Sequence, residues 1–453
     1  MTLDRRRFLK GAALGSGLAA FGGTSTVAKL ARAQTYESDK HFIFCYFAGG
    51  WDILLGLDPR DPTLFNNSNM RMTRIQPGYE ILPGRAMPVT TDAGITFGAY
   101  IGEMAAFADQ MAVVRGMSME TVSHAAGRRR FITGRQPIGN MAQGSSGATW
   151  LASKFGQNDI IPNIAVGVET YNVDQPTYAS ALSANGINDL QRSLQAADSD
   201  LPKGQRALLE RFLRSHSECE SSKLSPTLSS AEISRRNARE MAEGRLAARF
   251  NFLAENTEME ALRDRYRIPN EANGLGSANA RAALAAQAIM TGVSRVVSIN
   301  VAGGLDTHSG TAWITQQGPR QRSGFNAIAR LASHLQENEY KETGDSWLDH
   351  TVIVAFSEFS RTPLLNGRSG RDHHITGACA LVGGGLRPGV YGQSADIALR
   401  PSPMNLATGR MDPENGVVPR PEHVLQTLLY HAGFNRDWAN LSVQPIGAML
   451  PTT

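Results

Sequence analysis

The chain has 453 residues, of which 42% are hydrophobic and 19% charged, a composition that supports a large folded core and excludes a disordered chain, a collagen-like repeat and a protein with several membrane spans. Its formal charge is +4, but residues 1–33 carry six Lys or Arg residues and one Asp, so the remainder carries −1. The positive charge therefore belongs to the N-terminal segment and indicates no nucleic-acid partner.

The N-terminal segment has the three parts of an export signal. A basic start at 5–10 (RRRFLK) is followed by a Gly- and Ala-rich apolar stretch at 11–21 and by a small-x-small cleavage pattern at 31–33 (ARA). The apolar stretch is too short to span a bilayer well. Because paired arginines before Phe-Leu-Lys resemble a twin-arginine signal, we predict export by the twin-arginine (Tat) machinery to the periplasm or beyond, and no stable membrane span in the mature protein. A basic tail before a surface helix is the alternative.

Continuous apolar runs predict buried strands at 41–47, 111–114, 295–301, 351–356 and 379–382. Because these runs do not alternate with polar residues, they are typical of a parallel sheet covered on both faces. Apolar residues at helical spacing predict helices at 324–335 and 421–432. We therefore predict an α/β fold, with a mostly parallel sheet flanked by helices on both faces and residues 34–453 as a single domain.

The stretch 187–292 differs from the rest because it is rich in Ala, Arg, Glu, Leu and Ser. We predict that it is a helical insertion or cap, since strands resume after it. Residues 60–96 are rich in Pro, Asn and Met and predict a long loop. Neither a P-loop nor a dinucleotide-binding motif is present. The cysteines, Cys45, Cys219 and Cys379, are too far apart in sequence to indicate a thiolate metal site or a disulfide framework.

Acidic residues and histidines lie beside the ends of the predicted strands, where doubly wound sheets bind ligands. The set consists of Asp52, Asp306, His308, Glu358 and His373, with His374 as the alternative to His373. Each has an ordinary structural explanation when taken alone, such as a helix cap or, for Glu358, an ion pair with Arg361. Together they would repel one another or lose hydration unless a cation bound between them. The set predicts one or two divalent metal ions, with zinc favoured and manganese or calcium as alternatives.

A further motif follows the run at 111–114. The segment from Ser123 to Arg135 predicts a helix that begins near His124 and ends at Gly134. The free N–H groups of such a helix start attract an anion, and Arg128 or Arg135 would hold its oxygens. A helix start with a basic face is the purely structural alternative.

These motifs resemble those of a large exported bacterial family known as domain of unknown function 1501, a distant branch of the alkaline phosphatase and sulfatase superfamily. The resemblance extends over about 42–432 and rests on GGWD at 49–52, GGLDTH at 303–308, FSEFSRT at 356–362 and GRDH at 370–373. It implies an alkaline-phosphatase-like fold with two metal ions at the carboxyl ends of the strands. It implies metal-binding roles for Asp52, Asp306, His308, Glu358 and His373. Glu358-Phe359 departs from the Asp-His pair of the superfamily, which leaves the second ion short of one imidazole.

The resemblance also implies a catalytic position. His124 stands where sulfatases carry the cysteine that becomes formylglycine. Because no cysteine is present there, a formylglycine sulfatase is excluded. Arg128 matches the sulfatase helix arginine. We predict that His124 is catalytic, as acid, base, nucleophile or metal ligand, with Ser123 or activated water as alternative nucleophiles. Arg128 would neutralise charge on the transferred group.

The predicted function is metal-dependent hydrolysis of a phosphate or sulfate ester, small or polymer-borne, outside the cytoplasm. The alternative is a non-catalytic descendant of the superfamily that serves as a binding or assembly protein.

Overall fold

The computed structural model of the protein describes residues 38–195, 202–217, 226–243, 246–434 and 436–451. The predicted export signal at 1–33 and Cys219 lie outside the described residues. No helix within the described ranges is long and apolar enough to cross a membrane.

The strands in the described residues are β1 (His41–Phe47), β2 (Val89–Thr90), β3 (Thr96–Phe97), β4 (Met111–Ser118), β5 (Asn163–Val166), β6 (Leu182–Ala184), β7 (Val296–Ala302), β8 (Thr351–Ser357), β9 (Ser360–Arg361), β10 (His373–His374), β11 (Thr376–Gly383) and β12 (Gly389–Tyr391). Eight of them form a central sheet in the order β12-β4-β11-β8-β1-β7-β5-β6. Strand β11 runs antiparallel to β4 and β8, and the other pairings in this sheet are parallel. The predicted α/β fold with a mostly parallel sheet is therefore confirmed.

The α-helices in the described residues are α1 (Met70–Thr73), α2 (His124–Thr133), α3 (Gly147–Phe155), α4 (Ile187–Leu194), α5 (Lys203–Ser217), α6 (Pro226–Glu243), α7 (Leu246–Arg249), α8 (Thr257–Tyr266), α9 (Ala278–Met290), α10 (Gly310–Ala312), α11 (Gly318–Gln336) and α12 (Pro421–His431). Short 3-10 helices lie at Ile53–Leu55, Tyr79–Ile81, Pro83–Arg85, Gly102–Gln110, Thr177–Ala179, Ala272–Gly276 and Gly447–Met449, and a π-helical turn at Trp313–Gln317 joins α10 to α11.

Strand β1 shows how the sheet is covered. Ile43 and Phe47 pack in a hydrophobic core that includes residues of α9 and α11. Phe42 and Phe44 pack in a second core that includes residues of α2, α3 and α12. Because successive side chains of a strand point to opposite faces of the sheet, the two cores lie on opposite faces. Helices therefore flank the sheet on both faces, as the continuous apolar runs predict.

The stretch 187–292 is helical in its described parts, but it is not a uniform insertion. Helix α9 packs on β7 and α11, and eight of its residues belong to the core on that face of the sheet. This helix is therefore part of the layer that covers the sheet. The loop at 60–96 contains only short elements, namely α1, two 3-10 helices, β2 and the start of β3.

The central strands β8, β1 and β7 are adjacent and parallel, so their carboxyl ends lie side by side. After β1 the chain turns at Gly49, which has a φ of +110°. A Cβ atom there would lie 2.7 Å from the backbone nitrogen of Leu305 and 2.8 Å from that of Asp306. Glycine therefore permits the end of β1 to approach the loop after β7 closely, which places the chain segments of the candidate site next to each other.

Candidate functional site

The candidate site is assembled from four separate chain segments at the carboxyl edge of the sheet. Asp306 and His308 lie in the loop after β7, and Glu358 follows β8 directly. His124 is the first residue of α2, which follows β4. His373 lies in β10, which pairs with β9 immediately after Glu358. The tertiary fold thus brings five of the predicted residues to one place.

Three imidazoles converge on a single carboxylate oxygen. Asp306 Oδ1 lies 2.9 Å from His308 Nε2, 3.0 Å from His373 Nε2 and 3.3 Å from His124 Nε2. The Nε2 atoms of His308 and His373 are themselves 3.1 Å apart. Asp306 is about half exposed, at 47%, so the cluster opens to solvent. We call His124, Asp306, His308 and His373 the Asp306 cluster.

Glu358 holds His124 through the other ring nitrogen. The Nδ1 atom of His124 lies 2.8 Å from Glu358 Oε1, which also accepts a hydrogen bond from the backbone N–H of Gly49 at 2.8 Å. Oε2 lies 2.9 Å from the hydroxyl of Ser357. Burial raises the pKa of Glu358, but the hydrogen bonds from His124 and the neighbouring backbone outweigh it, so the net shift is downward and the carboxyl is ionised. An ionised carboxylate only accepts hydrogen bonds, so Nδ1 of His124 carries a proton.

The other two imidazoles are held in the same way. His308 Nδ1 lies 2.6 Å from Asp372 Oδ1, and His373 Nδ1 lies 2.8 Å from the carbonyl oxygen of Val122. The hydrogen bond from His308 lowers the pKa of Asp372, which is therefore ionised. Both partners are acceptors, so these Nδ1 atoms also carry protons. In the neutral form, each of the three imidazoles presents the lone pair of Nε2 to the cluster.

This arrangement fits a bound cation. Three lone pairs that face one carboxylate oxygen repel it unless a positive charge lies between them. Nε2 of His124 is buried and makes no hydrogen bond within the described part of the chain. His124, Asp306 and His373 each offer one atom within 4.8 Å of the others. Imidazole and carboxylate donors suit zinc, and histidines that bind metals usually donate their second N–H to a carboxylate or a carbonyl.

A proton on one imidazole could supply the positive charge in place of a metal ion. The hydrogen bond to Glu358 is the largest influence on His124 and raises its pKa, with burial acting in the opposite direction. At Asp306, burial opposes ionisation, but hydrogen bonds from Arg361 and His373 lower the pKa well below the ordinary value of a carboxyl. The carboxylate of Asp306 therefore stays ionised. A metal ion and a proton compete for the imidazole nitrogens that face it.

Arg361 supplies a fixed positive charge beneath the cluster. Its guanidinium is fully buried, and Nη2 lies 2.7 Å from Asp306 Oδ1. Nε donates to the carbonyl of Gly50 at 3.0 Å, and Nη2 also contacts the carbonyl of Gly49. Arg361 therefore pairs with Asp306, whereas the sequence suggested Glu358 as its partner. Its role was missed, although the residue lies in a motif that was singled out.

Asp52 is not brought to the Asp306 cluster. It is fully buried, and its Oδ2 accepts a hydrogen bond from Trp313 Nε1 at 2.8 Å and lies 3.1 Å from Arg371 Nε. Its Oδ1 accepts from the backbone N–H of Leu54 at 3.0 Å. Both oxygens are therefore occupied by donors of the protein itself. The position after β1 predicted a metal ligand, but a buried guanidinium lies beside this carboxylate.

Arg128 lies one helical turn after His124, as the spacing predicts, but its guanidinium contacts Glu169. His374, the alternative to His373, accepts a hydrogen bond from the backbone N–H of Thr376 at 3.2 Å. Burial lowers the pKa of His374 to about 4. The structure therefore brings His373, and not His374, to the cluster.

Asp372 is a second residue that the sequence analysis did not assign to the site. It adjoins His373 and holds His308, and Asn366 donates to it at 3.0 Å and to the carbonyl of His308 at 3.0 Å. The sequence did contain a signal for this role, since Asp372 directly precedes a predicted histidine ligand. Histidines that bind metals need an acceptor for their second ring nitrogen, and a nearby carboxylate can provide it.

A family model described as "Protein of unknown function (DUF1501)" matches residues 39–408. No curated protein sequence matches the chain. Among solved structures, the chain is similar to one described as "Crystal structure of Ps i-CgsB in complex with k-i-k-neocarrahexaose", at 8% sequence identity and a TM-score of 0.37, over 90% of this chain and 75% of that one. That similarity is too low to carry an argument about fold or function.

Proposed function

We propose that this chain, which belongs to the DUF1501 family, is an exported metal-dependent hydrolase that acts on phosphate or sulfate esters. The observation that carries the proposal is the convergence of three imidazoles on Asp306, each with its Nδ1 held by an acceptor. The twin-arginine pattern supports export, and the strand-end motifs support the alkaline-phosphatase-like assignment of the fold.

In this proposal His124, Asp306, His308 and His373 hold one ion, and zinc suits these donors best. The bound ion would polarise the ester and lower the pKa of an attacking water molecule. Asp52 is left out because Arg371 already neutralises it. Within the described residues, His124, Asp306 and His373 form the only group whose donor atoms all lie close enough to one another to hold a metal ion. His308 Nε2 lies 2.9 Å from Asp306 Oδ1 and would be the fourth donor.

The remaining residues orient the ligands and provide charge. Glu358 and Asp372 fix the ring orientation and the tautomer of the histidines they contact, so that Nε2 faces the site. Arg361 lies against Asp306 and keeps that carboxylate ionised. Arg128, on the same face of α2 as His124, would bind the oxygens of the anionic group.

The first test is the metal content of the mature protein, measured by elemental mass spectrometry after loading with zinc or manganese. We expect about one equivalent in the unaltered protein and loss of it in His373→Ala. His374→Ala is the matched control, because its ring lies outside the cluster, and it should keep the metal. A folded protein that takes up no metal, or equal loss in both variants, would contradict the proposal.

The second test is turnover of phosphate and sulfate esters by the metal-loaded protein. We expect hydrolysis that disappears in His308→Ala while the thermal unfolding of that variant remains cooperative. Metal binding without turnover of any ester would favour the alternative function, a non-catalytic binding or assembly protein. Turnover that persists in His308→Ala would show that the reaction takes place elsewhere.

A further inference from the structure

A cavity of about 500 Å³ lies at the same edge of the sheet as the Asp306 cluster. Its walls include Arg128 on α2, Glu169 after β5, and Ser183 and Asn185 at the end of β6. Strand β5 pairs with β7, the strand that leads to Asp306. Because Arg128 lies one turn after His124, the cavity and the cluster share α2 as a common wall.

The wall nearest His124 carries one arginine and one glutamate, Arg128 and Glu169. Glu169 contacts both Arg128 and Arg129, with 3.0 Å between Glu169 Oε2 and Arg129 Nε, and the same oxygen accepts from the hydroxyl of Tyr171 at 2.8 Å. Burial opposes ionisation, but the hydrogen bonds from the two arginines lower the pKa of Glu169. One carboxylate thus contacts two guanidiniums, of which only that of Arg128 lines the cavity. Because Glu169 is shared with Arg129, it neutralises Arg128 only in part, and Arg128 can attract the anionic group of an ester.

The rest of the cavity is uncharged and combines polar groups with two small apolar side chains. Ser183 and Asn185 offer a hydroxyl and an amide, and the backbone at 167–168 adds peptide groups. Val168 and Ala184 are the apolar side chains among the described lining residues, and the lining contains no aromatic ring. Two small apolar side chains without an aromatic ring give an aryl group less apolar contact than the mostly apolar pockets that usually bind such groups. Hydroxyl groups, by contrast, can pair with the amide, the hydroxyl and the peptide groups.

We propose that this cavity binds the organic part of the ester, and that this part is a hydroxyl-rich group such as a sugar or polyol. The anionic group then lies towards Arg128 and the Asp306 cluster, and the hydroxyls lie towards Ser183 and Asn185. This orientation of the ester rests on the proposed ester hydrolysis. The chemistry of the cavity itself can be tested by binding alone.

The experiment measures binding by isothermal titration calorimetry to the full mature chain carrying His308→Ala, the variant that the proposed function expects not to hydrolyse the esters. The probes are D-glucose 6-phosphate, D-glucose 6-sulfate and sn-glycerol 3-phosphate, compared with 4-nitrophenyl phosphate and 4-nitrophenyl sulfate. We expect at least one hydroxylated ester to bind about tenfold more tightly than the aryl ester with the same anion, which corresponds to one or two added hydrogen bonds. Equal or tighter binding of both aryl esters would overturn the inference.

Adding Asn185→Ala or Ser183→Ala to the same chain should lower the affinity for the hydroxylated ester about fivefold. The affinity for the aryl esters should not change. Asn67→Ala is the matched control, because Asn67 lines a separate cavity beside Tyr79, and it should alter neither class. If neither cavity variant lowers the affinity for the hydroxylated esters, these esters do not bind in the cavity. Selective binding without hydrolysis by the unaltered protein would instead refute the hydrolase function and leave the subsite standing.

Discussion

Replacing Glu358 by glutamine tests whether this buried carboxylate sets the state of His124. The side chain is 1% exposed and contacts three donors, namely the backbone N–H of Gly49, the hydroxyl of Ser357 and Nδ1 of His124. Glutamine has nearly the same shape, and its carbonyl oxygen can keep the first and third of these contacts. Its amide group can donate to Ser357, whose hydroxyl oxygen is an acceptor. The variant should therefore fold.

The expected loss of zinc affinity comes from removing the negative charge of Glu358 and not from a change in side-chain shape. A hydrogen bond to an ionised carboxylate is about twice as strong as one to a neutral amide. The difference at His124 is roughly 1–2 kcal/mol, which predicts about a fivefold to thirtyfold lower affinity for zinc. In the metal-free protein, the pKa of His124 should fall, because the hydrogen bond that raises it is weakened.

Zinc affinity is measured by competition with a chelator, and the pKa of His124 by NMR titration of the metal-free protein. Asp159→Asn is the matched control, because Asp159 is also a largely buried carboxylate, paired with Arg295 at 3.1 Å, and it lies away from the Asp306 cluster. It should lower stability without changing zinc affinity. Unchanged zinc affinity and an unchanged pKa of His124 in Glu358→Gln would refute the reasoning.

Three further outcomes can be measured independently of the Glu358 variant. The folded structure raises the pKa of His124, so protonation of this residue stabilises the metal-free protein. This stabilisation is complete below the pKa of an unfolded histidine and is lost as pH rises through the folded-state pKa. Urea unfolding at several pH values should show this dependence, and His124→Gln should remove it. Asp52→Ala should cost about 3–5 kcal/mol in urea unfolding because it leaves Arg371 buried without a counter-charge; full stability with loss of metal would instead identify Asp52 as a ligand. Arg5→Lys with Arg6→Lys should retain the protein in the cytoplasm, as fractionation would show; continued export would contradict the twin-arginine prediction.

Local patterns in the sequence identified the centre of the fold. Strands β1, β7 and β8 are continuous apolar runs, and such runs report burial on both faces without any knowledge of their partners. Helix α2 begins at His124 and ends before Gly134, as the sequence predicts, because Gly134 takes the left-handed conformation that ends helices, with a φ of +64°. These features depend on residues that are close together in the chain.

Elements with weak local signals were missed. Strands β5, β6 and β12 are four residues or shorter, and their pairing is supplied by neighbouring strands and not by their own composition. The antiparallel direction of β11 likewise depends on the path of the chain around the sheet. Helix α9 is rich in alanine, which predicts a helix but not the surface it covers.

The sequence by itself determined that His124, Asp306, His308, Glu358 and His373 lie at the carboxyl edge, because parallel strands that end side by side bring their following loops together. Only the tertiary structure decided which atoms face one another. Arg371 reaches Asp52 across 319 positions of the chain and neutralises it, while Arg361 pairs with Asp306. The acceptors Glu358, Asp372 and the carbonyl of Val122 bind the Nδ1 atoms and leave Nε2 for the site. A tautomer is set by what each ring nitrogen contacts, and those contacts exist only in the folded chain.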